Sequence, residues 1–187
     1  MQFFNIKKHP EIQSLGGQVI TGYSKDMINI TKYRLEYNPK EKATYVWAEE
    51  EIVCPICGYK KMKPKGRRKR RIIMTNGEIR ILKIRRLKCK RCKKIHHELP
   101  DIIVPYKHHS AQTIEIIINE ADESNPCEES TINRIKAWWV NIQLYIESVA
   151  ASLKFKYNIT FPKEIKLLEI VRALVNTHLW PGTRSAC

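Results

Sequence analysis

The hydrophobic pattern divides the chain near residue 110. Before it, apolar residues come in short strand-like runs; "GGQVITGY" and "ATYVWAEEEIV" lie in the first 50 residues, with polar turns such as "NPKEK" between, and Trp47 is placed to cover a core. "RRKRRIIM" and "EIRILKIRRL" follow, rich in β-branched and long side chains and separated by "TNG" at Thr75 to Gly77. Asn-Gly favours the positive φ angles of a tight turn, so these two runs predict a hairpin. "HELPDIIVPYKHHS" contains Pro100 and Pro105, which oppose a long helix, and reads as an extended linker.

Beyond residue 110 the spacing becomes helical. Ser110 is a suitable N-cap for "AQTIEIIINE", in which Ala111, Ile114, Ile117 and Ile118 share one face. "ADESNPCEE" breaks that period. A second helix is predicted from Ser130, with Ile132, Ile135, Trp139, Ile142, Ile146 and Val149 recurring toward Tyr157. A third begins near Pro162, its apolar side including Ile165, Leu168, Val171 and Leu174. Trp138 and Trp139 read as core and partner-facing residues.

Charge is distributed unevenly over this pattern. The net charge is +15, but residues 60–94 hold 18 Lys/Arg and one acid, Glu78, a balance of +17; the remaining 16 basic and 18 acidic residues give −2. Solubility favours interspersed signs, whereas a concentrated positive field favours a polyanion such as DNA or RNA. The block has no amphipathic stripe with large apolar anchors, which disfavours a membrane surface. The N-terminus has charges before any apolar run, and no stretch approaches the roughly 18 apolar residues of a membrane span, so a cytoplasmic location is expected.

Four of the six cysteines form two C-x-x-C pairs, Cys54 and Cys57 in "CPICG" and Cys89 and Cys92 in "CKRC". Paired motifs favour a four-thiolate tetrahedral zinc site over a redox motif or disulfides. The 31 residues between the pairs exceed the usual spacing, but the predicted hairpin runs out and back and returns its ends to one place. Four thiolates close the coordination shell, so this Zn²⁺ is expected to be structural. His96 and His97 are then surface or phosphate-facing residues, and Cys127 and Cys187 have no assigned role.

The expected fold class is α+β: a zinc ribbon, meaning a β-hairpin with a four-cysteine site, followed by a small helical, helix-turn-helix-like bundle. The expected divisions are a small mixed segment over 1–50, the ribbon with its basic hairpin over 51–106, and the helical domain over 107–187. Phosphate contacts are expected from Lys65, Arg67, Arg68, Lys69, Arg70, Arg71, Arg85, Arg86, Lys88, Lys90 and Arg91. On the helix from Ser130, Thr131, Asn133, Arg134 and Lys136 face away from the apolar stripe, where Arg can read guanine and Asn adenine.

"CPICG", the basic hairpin, "IRRLKCKRCKKIHHELPDIIVPYKHHS", "STINRIKAWW" and "VRALVNTHLWPGTRSAC" together resemble an uncharacterised bacterial family, domain of unknown function 6431, over roughly residues 50–187. The ribbon also resembles the zinc-binding N-terminal heads of insertion-sequence transposases. This resemblance implies a nucleoid-associated DNA-binding protein of a transposon or prophage, an accessory factor or transcriptional regulator, with the four paired cysteines as zinc ligands and the Ser130 helix as reading helix. Two departures stand out. The gap before Ser130 is too long for a tight helix-turn-helix, and the only aspartates, Asp26, Asp101 and Asp122, are too scattered for two-metal strand transfer. The expectation is therefore a non-enzymatic protein with double-stranded DNA as partner. RNA is the alternative, and homo-oligomer formation stays open.

Overall fold

The structure is a computed structural model that describes residues 27–119, 127–161 and 166–181. The strand expected at "GGQVITGY", the third-helix start at Pro162 and Ile165, and Asp26, Asp122 and Cys187 lie outside the described residues. Six strands and three helices follow in the order β1 (Met27–Ile30), β2 (Tyr33–Asn38), β3 (Ala43–Ala48), β4 (Met62–Ile73), β5 (Ile79–Cys89), β6 (Ile95–Pro100), α1 (Ala111–Ile118), α2 (Glu129–Tyr157) and α3 (Leu167–Asn176).

All six strands belong to one mixed sheet, ordered β1-β6-β5-β3-β2, with β4 on the other edge of β5. The predicted hairpin forms: β4 and β5 pair antiparallel from Ile73↔Ile79 to Met62↔Cys89. Its turn is closed by Gly77 N–H donating to the Met74 carbonyl, with Gly77 at φ +78°. The register slips by one residue between Pro64 and Arg67, so β4 bulges there, and Gly66 takes the positive φ of +92° that the extra residue requires.

This arrangement overturns the expected zinc ribbon with a separate helix-turn-helix-like bundle. A ribbon hairpin stands by itself, but the second edge of β5 is also used. It pairs parallel with β3 at Thr44↔Leu82 and Tyr45↔Lys83, then antiparallel with β6 from Arg86↔His97 to Lys88↔Ile95. The hairpin is thus the spine of a larger sheet, and β5 is buried on both faces, at Leu82 and Ile84 on one and at Leu87 and Cys89 on the other. "HELP", expected as linker, is strand β6, whose Leu99 and Pro100 are buried.

The helices are not a separate bundle, because their core is continuous with that of the sheet. Ile114, Ile117, Ile135, Ile142, Ile146, Leu153, Ile170 and Leu174 join Val46, Ile72, Leu82, Ile84 and Leu99 in one hydrophobic cluster. α3 packs on β1, where the Asn29 N–H donates to Asn176 Oδ1 at 3.0 Å. Ser110 caps α1 as expected, accepting from the Thr113 N–H. α2 is a single helix of 29 residues whose cap is Glu128, which places Ser130 inside its first turn. On α3 the buried positions are Leu167, Ile170, Val171, Leu174 and Val175, and Leu168 is exposed.

Candidate metal centre and basic face

Each cysteine pair sits in a tight knuckle, one after β3 and one at the end of β5. The two have the same backbone frame. Gly58 N–H donates to the Cys54 carbonyl and Cys54 N–H to the Tyr59 carbonyl; Lys93 N–H donates to the Cys89 carbonyl and Cys89 N–H to the Lys94 carbonyl. The residue four after the first cysteine is left-handed in both, Gly58 at φ +69° and Lys93 at φ +63°.

The hairpin register brings the knuckles together. Cys54 and Cys92 sulfurs are 3.6 Å apart, as are those of Cys57 and Cys89, and all four lie within 4.8 Å of one another. Four sulfurs bonded tetrahedrally to one ion at about 2.3 Å stand about 3.8 Å apart, so the spacing fits a single four-coordinate metal. Cys54 and Cys89 are fully buried and Cys57 and Cys92 half-buried.

The two fully buried thiols differ in their electrostatics. Burial pushes the Cys54 thiol up to about 12 against the backbone N–H groups of Cys57 and Ile56. Burial opposes ionisation of Cys89 as well, but the N–H groups of Cys92 and Arg91 and the thiols of Cys57 and Cys92 outweigh it and bring Cys89 down to about 6. A thiolate starts readily at Cys89, and only a cation at the centre makes all four favourable. The cluster can hold a metal ion.

His96, expected at the surface, is fully buried, with Nε2 3.4 Å from Cys54 Sγ. β6 aims it inward: Leu87↔His96 register puts it on the Cys89 side of the sheet. On the same side Glu98, also fully buried, accepts two bonds of 2.7 Å from the Arg85 guanidinium. Neither residue stands out in the sequence, because "HHELP" offers no alternation that announces a buried strand.

The expected phosphate-contacting residues separate into two groups. Lys65, Arg68, Lys69, Arg71, Lys90 and Arg91 are exposed, and among the described residues none of them is in an ion pair. Arg70, Arg86 and Lys88 are half-buried, and Arg85 is held by Glu98. Arg67 is built into the fold. Its Nη1 donates to the carbonyls of Val46 and Lys83, both at 3.0 Å, and the guanidinium lies over Trp47 and Tyr45. Burial, and next the charge of Arg85, lower its basicity.

Of the residues expected to read bases, Asn133 and Arg134 are exposed and Thr131 and Lys136 half-buried. Thr131 and Arg134 line a cavity against residues 106–109. Among the described residues no helix is long and apolar enough to cross a membrane.

No curated protein and no solved structure matches this chain, so the likeness to transposase heads gains no support there. A family model does match, and its span begins on the first cysteine of the cluster, contains both knuckles, the basic hairpin, β6 and α1, and ends in α2. Over residues 54–135, a shorter stretch than the 50–187 of the sequence resemblance, the chain is similar to the domain of unknown function DUF6431.

Proposed function

We propose that this protein is a non-enzymatic, zinc-stabilised protein that binds double-stranded DNA through the exposed cations of β4 and of the Cys89–Cys92 knuckle. The observation that carries the reading is the charge of residues 60–94 on one antiparallel strand pair, whose only acid, Glu78, is engaged by Arg80. An all-thiolate donor set suits zinc, and a closed four-sulfur shell organises structure without an open position for substrate. Four thiolates around a divalent ion carry −2, which reduces the +17 of this segment to +15. Nearly all of its field therefore remains for phosphates, which would be bound largely without regard to sequence. A mobile-element role, as accessory factor or regulator, rests on the sequence resemblance alone.

Anisotropy titrations of a random DNA duplex over a range of salt, with zinc measured on the same sample, test this. Binding should weaken with salt, and Lys69→Ala/Arg71→Ala should flatten the slope of log Kd against log salt by about 1 to 2. An unchanged slope removes these residues from the contact, and preference for structured RNA over duplex DNA replaces the partner. Cys89→Ser should lose zinc; full zinc content in that variant ends the ligand assignment.

A further inference from the structure

At the end of the hairpin away from the cysteines, β4 is tied to the segment before α1. Ile73 N–H donates to the His108 carbonyl, Ser110 N–H donates to the Ile73 carbonyl, and Ile73 bridges to His109. Between that segment and the first turns of α2 lies a cavity of about 190 Å³. The 11 residues of β5 separate it from the metal centre by roughly 30 Å.

We propose that this cavity binds a phosphate group. Its lining includes Lys107, His108, His109 and Arg134, together with Thr131 and Tyr106, and among the described residues no acidic side chain. The floor is aliphatic, formed by Ile114 and Ile135. Four residues that are or can become cationic line this cavity and, among the described residues, no carboxylate does, which favours an anion and disfavours a metal ion at the adjacent histidines. Arg134 is held for the purpose: Nε donates to the Ser130 carbonyl at 3.2 Å and Nη2 to Thr131 Oγ1 at 3.1 Å, so the guanidinium lies along the start of α2 at the cavity wall. Lys107 is positioned over the Trp138 ring, its Nζ 4.4 Å from the centroid. Burial, followed by the charges of His108 and Arg134, lowers the basicity of His109. An oxyanion relieves that repulsion and uses charged donors already in place. The proposal does not depend on the DNA reading, because a free phosphate or small phosphate monoester has the same recognised group as a nucleic-acid phosphate.

Calorimetric titration of the whole protein with inorganic phosphate tests the site. One saturable site is expected, with affinity reduced about tenfold or more in Arg134→Gln and in Lys107→Met. Lys69→Ala/Arg71→Ala, on the hairpin, should leave that affinity unchanged. Absence of a saturable site, equal affinity in Arg134→Gln, or equal loss in the hairpin variant overturns the proposal. Displacement of phosphate by a short oligonucleotide marks a nucleic-acid phosphate as the source; saturable binding that the oligonucleotide does not disturb marks a free phosphate or monoester.

Discussion

The guanidinium of Arg67 lies 4.0 Å from the centre of the Trp47 ring, with the Val46 and Lys83 carbonyls bonded to its Nη1. It closes the place where β3 leaves β5, since those strands pair only at residues 44–45 and 82–83. One cation of the basic block therefore joins strands. Arg67→Ala should lower unfolding free energy by about 3 kcal/mol through lost charged hydrogen bonds and ring contact, measured by urea denaturation. It should leave the salt slope of the DNA binding proposed above where it was. A lowered slope with an unchanged urea midpoint would reverse the assignment.

His96 lies against Cys54, beside the four-cysteine cluster. A ring N–H directed at a thiolate orients it and spreads its charge, and loss of such partners typically weakens metal binding about 10- to 100-fold. His96→Leu should shift a competition titration with a chromophoric chelator by at least about tenfold while one metal per chain is still bound at saturation. A variant that competes like the parent protein would leave His96 a packing residue only.

Glu98 and Arg85 form a paired charge under the sheet, the carboxylate fully buried and the guanidinium side chain 25% exposed. Removing one partner leaves the other charge uncompensated. Glu98→Gln should cost about 3 kcal/mol, and Glu98→Leu/Arg85→Met together should cost less than Glu98→Gln alone. Chemical denaturation of the three proteins decides this; additive losses would mean that the two groups act separately.

Gly66 has open space where a Cβ would go, so steric contact does not fix its identity. Its φ of +92° does. Gly66→Ala should destabilise by about 1 to 2 kcal/mol from backbone strain alone, and an unaltered thermal midpoint would show that the bulge relaxes at no cost.

Local chemistry makes part of this legible. The cysteine pairs, "TNG" and Ser110 act within a few residues, and the cysteine cluster, the hairpin and the α1 cap all form where the sequence puts them. What escapes is non-local. The β3–β5 pairing joins residues 38 positions apart, and no periodicity within either strand specifies it. β6 is hidden because "HHELP" is polar in composition, although His96 and Glu98 find their partners, Cys54 and Arg85, only after folding. Leu167 and Leu168 differ by one step of phase, enough to exchange a buried position for an exposed one.

The matched frames around Cys54 and Cys89 have an implication for how the segment can diversify. Main chain and sulfur are arranged alike in both copies, yet one loop reads "CPICG" and the other "CKRCK". The side chains of Lys90 and Arg91 are thus spare as far as coordination is concerned, and exchanging both for neutral residues other than proline, which keeps the Lys90 N–H on the Lys61 carbonyl, should leave metal loading unchanged and weaken only the polyanion contact proposed above.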